Sequence, residues 1–160
     1  MKRSEKSSPH RRNSNLLKEL KYEPKPYKPT PRSCKKWFNI LNQQLFGNKL
    51  PPVNEMHVTF LWDDHGNYTY YSPKDPLYPR TKITLDDIFI NKKVFVEVLA
   101  HEMIHHFQFI HYEPMGHGPT FEAWRDNFKL KGLRLKRKYW NEKHEVRQDW
   151  SYLCRTIWGR

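Results

Sequence analysis

The segment 94–110 constrains the fold of this 160-residue chain more than any other. Its apolar side chains fall around much of the circumference of a helix rather than along one stripe. A helix of that kind is stable only when other elements cover it on several sides. We therefore predict a buried central helix over residues 94–110, with the rest of a small domain built around it.

The same segment carries titratable groups that a buried helix would otherwise avoid. In the sequence VLAHEMIHHFQF, His101 and His105 are four residues apart, and Glu102 follows the first histidine. Residues at this spacing project from one helix face about one turn apart, so both imidazoles can bind one metal ion. Glu102 can reach a metal-bound water rather than the metal itself. This is the HExxH pattern of zinc peptidases, in which the glutamate is the general base.

A catalytic zinc site needs a third protein ligand and an open position. His106 is turned about 100° from its neighbour on the helix, which makes it a poor co-ligand. His111 follows the apolar segment and is interpreted as a surface group or an outer group near the metal. His117 comes after a break containing proline and glycine, which lets the chain reverse towards the site. We predict His117 as the third ligand.

Three short segments have the pattern of strands. Alternating apolar residues over 56–62 predict a first strand. The turn sequence DDHGN at 63–67 then leads to residues 68–71, which we predict as the returning strand of a hairpin. Residues 82–85 predict a third strand. A short antiparallel sheet is therefore expected.

Helix signals flank these strands. Ser33 is predicted to cap a first helix that ends near Gly47. Pro119 is well placed in the first turn of a last helix that carries three aromatic residues over 121–128. The predicted fold class is α+β, with the sheet packed against the 94–110 helix and neighbouring helices.

The net charge of +12 is concentrated at the two ends of the chain. Residues 1–36 carry twelve Lys and Arg against three acids, residues 129–160 carry ten against three, and residues 37–128 have a net charge of −4. Basic flanks favour contact with a polyanion such as DNA or RNA, although lysine-rich ends can also simply maintain solubility. The candidate nucleic-acid contacts are Arg11, Arg12, Lys35, Lys36, Lys136, Arg137, Lys138 and Arg147.

These patterns divide the chain into three parts. Residues 1–32 are predicted to be a disordered basic and proline-rich arm, in which the leucines of 16–20 are interpreted as incidental. Residues 33–130 form the core, and residues 131–160 form a basic, aromatic extension. The aromatic residues of that extension either stack on exposed bases or pack on the core, and packing is favoured for most of them.

Composition also restricts the cellular setting. Cys34 and Cys154 are far apart and lack a partner motif, as expected of reduced packing cysteines. No run of about 18 apolar residues is present to span a membrane, and no apolar run follows the basic N-terminus as in a signal peptide. We expect a cytoplasmic or nuclear (or nucleoid-associated) protein that is not secreted and has no membrane partner.

Four motifs resemble those of the SprT-like (Spartan-type) zinc metalloprotease family. They are WFNILNQQLFGNKLP at 37–51, ITL at 83–85, HEMIHH at 101–106 and HGPTF at 117–121, within a resemblance that covers about residues 33–130. The resemblance implies a zincin-like core and one Zn²⁺ held by His101, His105 and His117, with Glu102 as acid/base. For the best-known members it also implies DNA-dependent cleavage of proteins crosslinked to DNA, the DNA being single-stranded or distorted.

One departure from the family leaves three functions open. Several members append a four-cysteine zinc ribbon that this chain lacks. The chain is then a DNA-associated zinc endopeptidase, a nucleic-acid-binding or adaptor protein with a structural zinc, or a peptidase with a dedicated non-DNA protein substrate. Glu102 favours an enzyme, because a structural site has no need of a base. Tyr112 and His111 are candidates for stabilising the negative charge that would develop on the substrate carbonyl oxygen during peptide cleavage (the oxyanion).

Overall fold

The computed structural model describes Leu16, Leu20 and residues 23–139. This part of the chain has an α+β fold, as predicted, with four helices and three strands. In chain order they are α1 (Pro31–Leu45), β1 (Glu55–Val58), β2 (Gly66–Tyr70), β3 (Thr81–Leu85), α2 (Lys92–Ile110), α3 (Pro119–Glu122) and α4 (Arg125–Leu130).

The sheet is mixed, and its strand order is β1-β3-β2. Strand β1 runs parallel to β3, from the pair Glu55 and Lys82 onwards. Strand β2 runs antiparallel to β3, beginning with Gly66 opposite Leu85. The prediction of an antiparallel sheet with a hairpin between the first two strands is therefore wrong. Both of those strands form, but they lie on opposite sides of β3.

The segment 59–65 explains this order, because it passes around the end of β3 instead of making a tight turn. The backbone N–H of Thr59 donates to the carbonyl of Leu85 (3.0 Å), and the N–H of Asp86 donates to the carbonyl of His65 (2.8 Å). The N–H of Leu61 donates to the Asp86 carboxylate (3.1 Å). Four of the five residues of β3 are buried, which suits the central position, whereas β1 has no buried residue.

The N-cap of helix α1 lies three residues before the predicted cap, Ser33. Thr30 is the N-cap: its side chain accepts a hydrogen bond from the N–H of Ser33 (3.1 Å), and the Ser33 side chain accepts one from the N–H of Thr30 (2.8 Å). Ser33 is thus the second half of a capping box rather than the cap itself. Pro31 occupies the first turn, where its missing N–H costs nothing.

Helix α2 is the buried central helix that the sequence predicts. Its N-cap is Asn91, whose side chain accepts a hydrogen bond from the N–H of Val94 (2.9 Å). Thirteen of its nineteen residues are buried, and it packs against α1, β2 and β3. The predicted last helix is divided into α3 and α4 at Ala123 and Trp124, and Phe121 and Phe128 face the core.

The hydrophobic core extends beyond the predicted 33–130 limits at both ends. Leu133, Leu135 and Tyr139 are buried in it after α4. Leu16 is fully buried in the same core, and Leu20 packs against it, which differs from the interpretation of incidental leucines. The remaining residues of the predicted arm up to 22, and the tail from 140 onwards with Arg147 and Cys154, lie outside the described residues.

Cys34 behaves as a packing residue. Its side chain is fully buried and free, and burial raises the pKa of the thiol to about 12, so it stays protonated. Within the described residues, no helix is long and apolar enough to cross a bilayer.

Candidate metal centre

Three histidine side chains meet at one point beside α2. The Nε2 atom of His105 lies 3.2 Å from that of His101 and 3.3 Å from that of His117, and the last two are 3.0 Å apart. Tetrahedral zinc with bonds of about 2.0–2.1 Å holds neighbouring ligand nitrogens about 3.3–3.4 Å apart. The three nitrogens are therefore spaced as the ligands of one small cation would be.

The other ring nitrogens show which tautomer is present. His101 Nδ1–H donates to the carbonyl of Lys136 (2.8 Å), and His105 Nδ1–H donates to the side-chain oxygen of Gln108 (2.9 Å). Since both acceptors lack a proton to give, the Nε2 atom of each ring carries a lone pair. Two lone pairs at 3.2 Å repel each other and are not a hydrogen bond, and a cation between them removes that repulsion.

All three rings are neutral at pH 7, which is the form that binds a metal. Burial lowers the pKa of His101 to about 3, and the neighbouring His105 adds to that shift. Burial also lowers the pKa of His105 and of His117. The donor set consists of imidazoles alone, which suits zinc among the common divalent ions.

Glu102 lies beside this cluster but outside it, with 5% of its surface exposed. Burial raises the pKa of its carboxyl to about 8, and the nearby Asp64 contributes in the same direction. A cation close to the carboxyl favours the ionised form and lowers the pKa again. A buried carboxyl poised near neutrality is suited to move a proton.

These groups line an open cleft of about 480 Å³. Helix α2 contributes Val98, Glu102 and two histidines to the lining. Residues 63–68, which comprise the end of the preceding loop and the start of β2, form one wall that includes Asp63 and Asp64. The segment 137–139 forms another part of the lining and brings the side chains of Arg137 and Lys138 to the cleft. The lining of the cleft thus carries both acidic and basic side chains.

The backbone at Gly66, at the start of β2, closely approaches the side chains of Val98 and Glu102. A Cβ atom added at Gly66 would lie 2.8 Å from Cγ1 of Val98 and 3.1 Å from Oε1 of Glu102. Sequence reasoning assigned this glycine only to a turn. Its position directly before a strand is the signal that could have indicated a close contact.

Gly66→Ala is expected to destabilise the domain by about 1–3 kcal/mol, because the added methyl group overpacks the contact with Val98. The same methyl group also crowds the Glu102 carboxyl and should displace it. Thermal unfolding measures the loss of stability. Gly118→Ala is the matched control, since a Cβ atom there meets nothing within 4 Å. An unaltered Gly66→Ala protein would contradict the close contact.

The remaining histidines of the segment have other partners. His106 Nε2–H donates to the carbonyl of Pro51 (2.8 Å), and its Nδ1 accepts from the hydroxyl of Tyr68 (3.0 Å), so it ties α2 to its neighbours. His111 is exposed and stacks on Phe107. Tyr112 is 90% exposed. Neither His111 nor Tyr112 lines the cleft, so the geometry offers no support for their oxyanion role.

Five of the eight candidate nucleic-acid residues lie in the described part of the chain. Arg137 and Lys138 are exposed at the cleft, and the Lys136 ammonium lies 5.6 Å from the centre of the Tyr139 ring. Lys35 and Lys36 are exposed on α1. Arg11, Arg12 and Arg147 lie outside the described residues.

A buried His–Asp pair also borders the cleft, and sequence reasoning missed it. His65 Nδ1–H donates to the carboxylate of Asp86 (3.1 Å), and both side chains are almost completely buried. The Asp86 carboxylate also accepts from backbone N–H groups of Leu61 and Asp87. The pair fixes the loop that carries the acidic wall.

The helix with its HExxH sequence and the third histidine from the following loop define the class of the protein as a metallopeptidase-like domain. The family model described as SprT-like matches residues 34–139, so the chain belongs to the SprT-like family and the resemblance is confirmed. The match extends past residue 130 to Tyr139, in agreement with the extended core. A comparison with curated proteins finds no match.

Proposed function

We propose that the chain is a zinc-dependent endopeptidase that acts on DNA-bound or DNA-crosslinked proteins. The observation that carries the proposal is the meeting of three histidine nitrogens at 3.0–3.3 Å beside the buried Glu102, in an open cleft. Three protein ligands leave one zinc position for water or substrate, as catalytic rather than structural sites do.

The residues have separate roles in the proposed reaction. When bound, zinc supplies a Lewis acid that activates water and polarises the scissile carbonyl. His101, His105 and His117 hold the ion through Nε2. Glu102 accepts the proton of the attacking water and then passes it to the leaving amine as the peptide bond breaks. The Glu102 side chain is buried against Gly66 of β2, and this contact keeps its carboxyl in place for both proton transfers.

Association with DNA is proposed from the distribution of charge. Arg137 and Lys138 stand exposed at the rim of the cleft, and the flanks of the chain are strongly basic. DNA held at that rim would place a protein attached to it next to the metal centre. Each phosphate contact to single-stranded DNA lowers the slope of log K against log salt by about 0.7.

Cleavage of an unfolded protein such as casein, with and without single-stranded DNA and with a chelator, tests the proposal. Chelation should abolish cleavage, zinc should restore it, and DNA should accelerate it in low salt more than in high salt. Replacing Arg137 and Lys138 by Gln should reduce the acceleration, whereas the same change at Lys49 and Lys74, which are exposed outside the cleft lining, serves as the control for lost surface charge.

Other results would identify the alternatives. Zinc-dependent cleavage that ignores DNA and salt would favour a peptidase with a dedicated protein substrate. Zinc binding and DNA binding without any cleavage would favour the adaptor function with a structural zinc.

A further inference from the structure

Gln108 is a fully buried polar residue on the helix that carries the metal-binding motif. Its side-chain oxygen accepts from His105 Nδ1–H (2.9 Å). Its side-chain nitrogen donates to the carbonyl of Gly116 (3.0 Å) and to the hydroxyl of Thr120 (2.9 Å). All the hydrogen-bonding partners of one carboxamide thus lie on segments that carry the second and third histidines.

The orientation of the amide follows from its partners. A backbone carbonyl can only accept, so the atom that faces Gly116 is the NH₂ group, and the oxygen faces His105. The His105 proton is therefore on Nδ1, and the Nε2 lone pair points to the other histidines. Gln108 selects the metal-binding tautomer of this ring by its own hydrogen bonds.

The same amide joins two parts of the site that are separate in the chain. Gly116 directly precedes His117, and Thr120 lies in the first turn of α3. Thr120 in turn donates to the carbonyl of Pro114 (3.2 Å), which closes the loop on itself. His117 is only partly buried, so this network, together with ring packing on Phe121, determines where its ring stands.

We propose that Gln108 is a positioning residue for the metal, which orients His105 and ties the His117 loop to α2. The inference rests on the metal site of the proposed function and deepens it. Outer groups that orient metal-bound histidines change affinity by about 10–100-fold when removed. Gln108 thereby controls how tightly zinc is held, and not only how stable the fold is.

If Gln108 only stabilised the fold, its replacement would change stability and zinc affinity in a different proportion. Removing a buried amide leaves unpaired polar groups and destabilises any fold, with or without metal. A positioning role adds a loss of metal affinity that the loss of stability does not explain. Asn42 is the matched control, because it is a buried amide in α1 whose two bonds go to the backbone of Leu50 and not to the site.

The test measures zinc affinity of the full chain by competition with a chromogenic chelator, and thermal unfolding of the metal-free protein. Gln108→Leu should weaken zinc binding about 10–100-fold. Asn42→Leu should lower the metal-free Tm comparably and leave zinc affinity within about twofold, since its amide has no bond to the site. Equal zinc affinities of the two variants overturn the proposal.

Two milder variants keep the test decisive if Gln108→Leu does not fold. Gln108→Glu retains an acceptor for His105 but turns an oxygen towards the Gly116 carbonyl, so an intermediate loss of affinity is expected. Thr120→Val removes one of the three hydrogen bonds of the Gln108 side chain and should reduce zinc affinity less than Gln108→Leu does. Wild-type affinity in both variants rejects the positioning role. Failure of the wild-type chain itself to bind zinc would instead reject the metal site and the proposed function.

Discussion

Glu102→Gln should bind zinc as the wild-type chain does and should lose proteolysis by about 10²–10⁴-fold, the usual contribution of a general acid–base group. Glutamate and glutamine side chains have nearly the same size, and Glu102 is not one of the three residues of the candidate metal-binding cluster. The amide cannot accept a proton from water, so the chemical step fails while the metal site stays intact.

Two measurements on the same preparation check this expectation: zinc content per chain and the rate of cleavage of an unfolded protein. Glu55→Gln is a suitable control, since Glu55 lies in β1 and pairs with Arg80, away from the cleft lining. Retention of full proteolysis by Glu102→Gln would end the assignment. Loss of zinc together with activity would show that the carboxyl supports the metal site rather than the proton transfer.

The convergence of His101 and His105 could be predicted because its geometry is local. On any helix, residues four apart share a face, so His101 and His105 converge whatever surrounds the helix. His117 depends on the path of a loop, and its assignment drew on the HGPTF motif as well as on spacing. The structure brings the three side chains together.

The order of the strands could not be predicted in the same way. The alternation of residues over 56–62 and the turn before residues 68–71 predicted the first two strands, but nothing local shows that β3 lies between them. That order depends on the bonds that residues 59–65 make to the end of β3, including the side chain of Asp86, across more than twenty residues of sequence. Pairing at such separation follows from tertiary contacts rather than from turn propensity.

The groups that orient the histidines differ in how far they could be predicted from the sequence. The partner of His101 is the backbone carbonyl of Lys136, and a carbonyl has no signature in a sequence. Gln108 could have been noticed, as an uncharged polar residue in an apolar helix, three residues after a ligand. Its role becomes clear only from the loop that folds back onto it.

Removal of the segment after α4 should strongly destabilise the fold, because the segment contributes to both the core and the candidate metal centre. Leu133, Leu135 and Tyr139 are buried, and each fully buried leucine contributes about 1.5–3 kcal/mol. The N–H of Arg134 donates to the buried carboxyl of Glu97 (2.9 Å). A chain that ends at residue 130, the limit predicted from sequence, loses all these contacts and the Lys136 carbonyl.

A chain of residues 1–130 is therefore expected to be largely unfolded, since the loss amounts to several kcal/mol out of a typical total of about 5–15 kcal/mol. A chain of residues 1–142 keeps every described contact of this segment and is the control. Circular dichroism on heating, together with zinc content, compares the two chains.

Leu135→Ala in the full chain should lower the free energy of unfolding by about 2–5 kcal/mol. A 1–130 chain that folds and binds zinc like the full chain would show that the segment only covers the site, whereas an unfolded 1–130 chain would show that residues 133–139 are part of the folded domain.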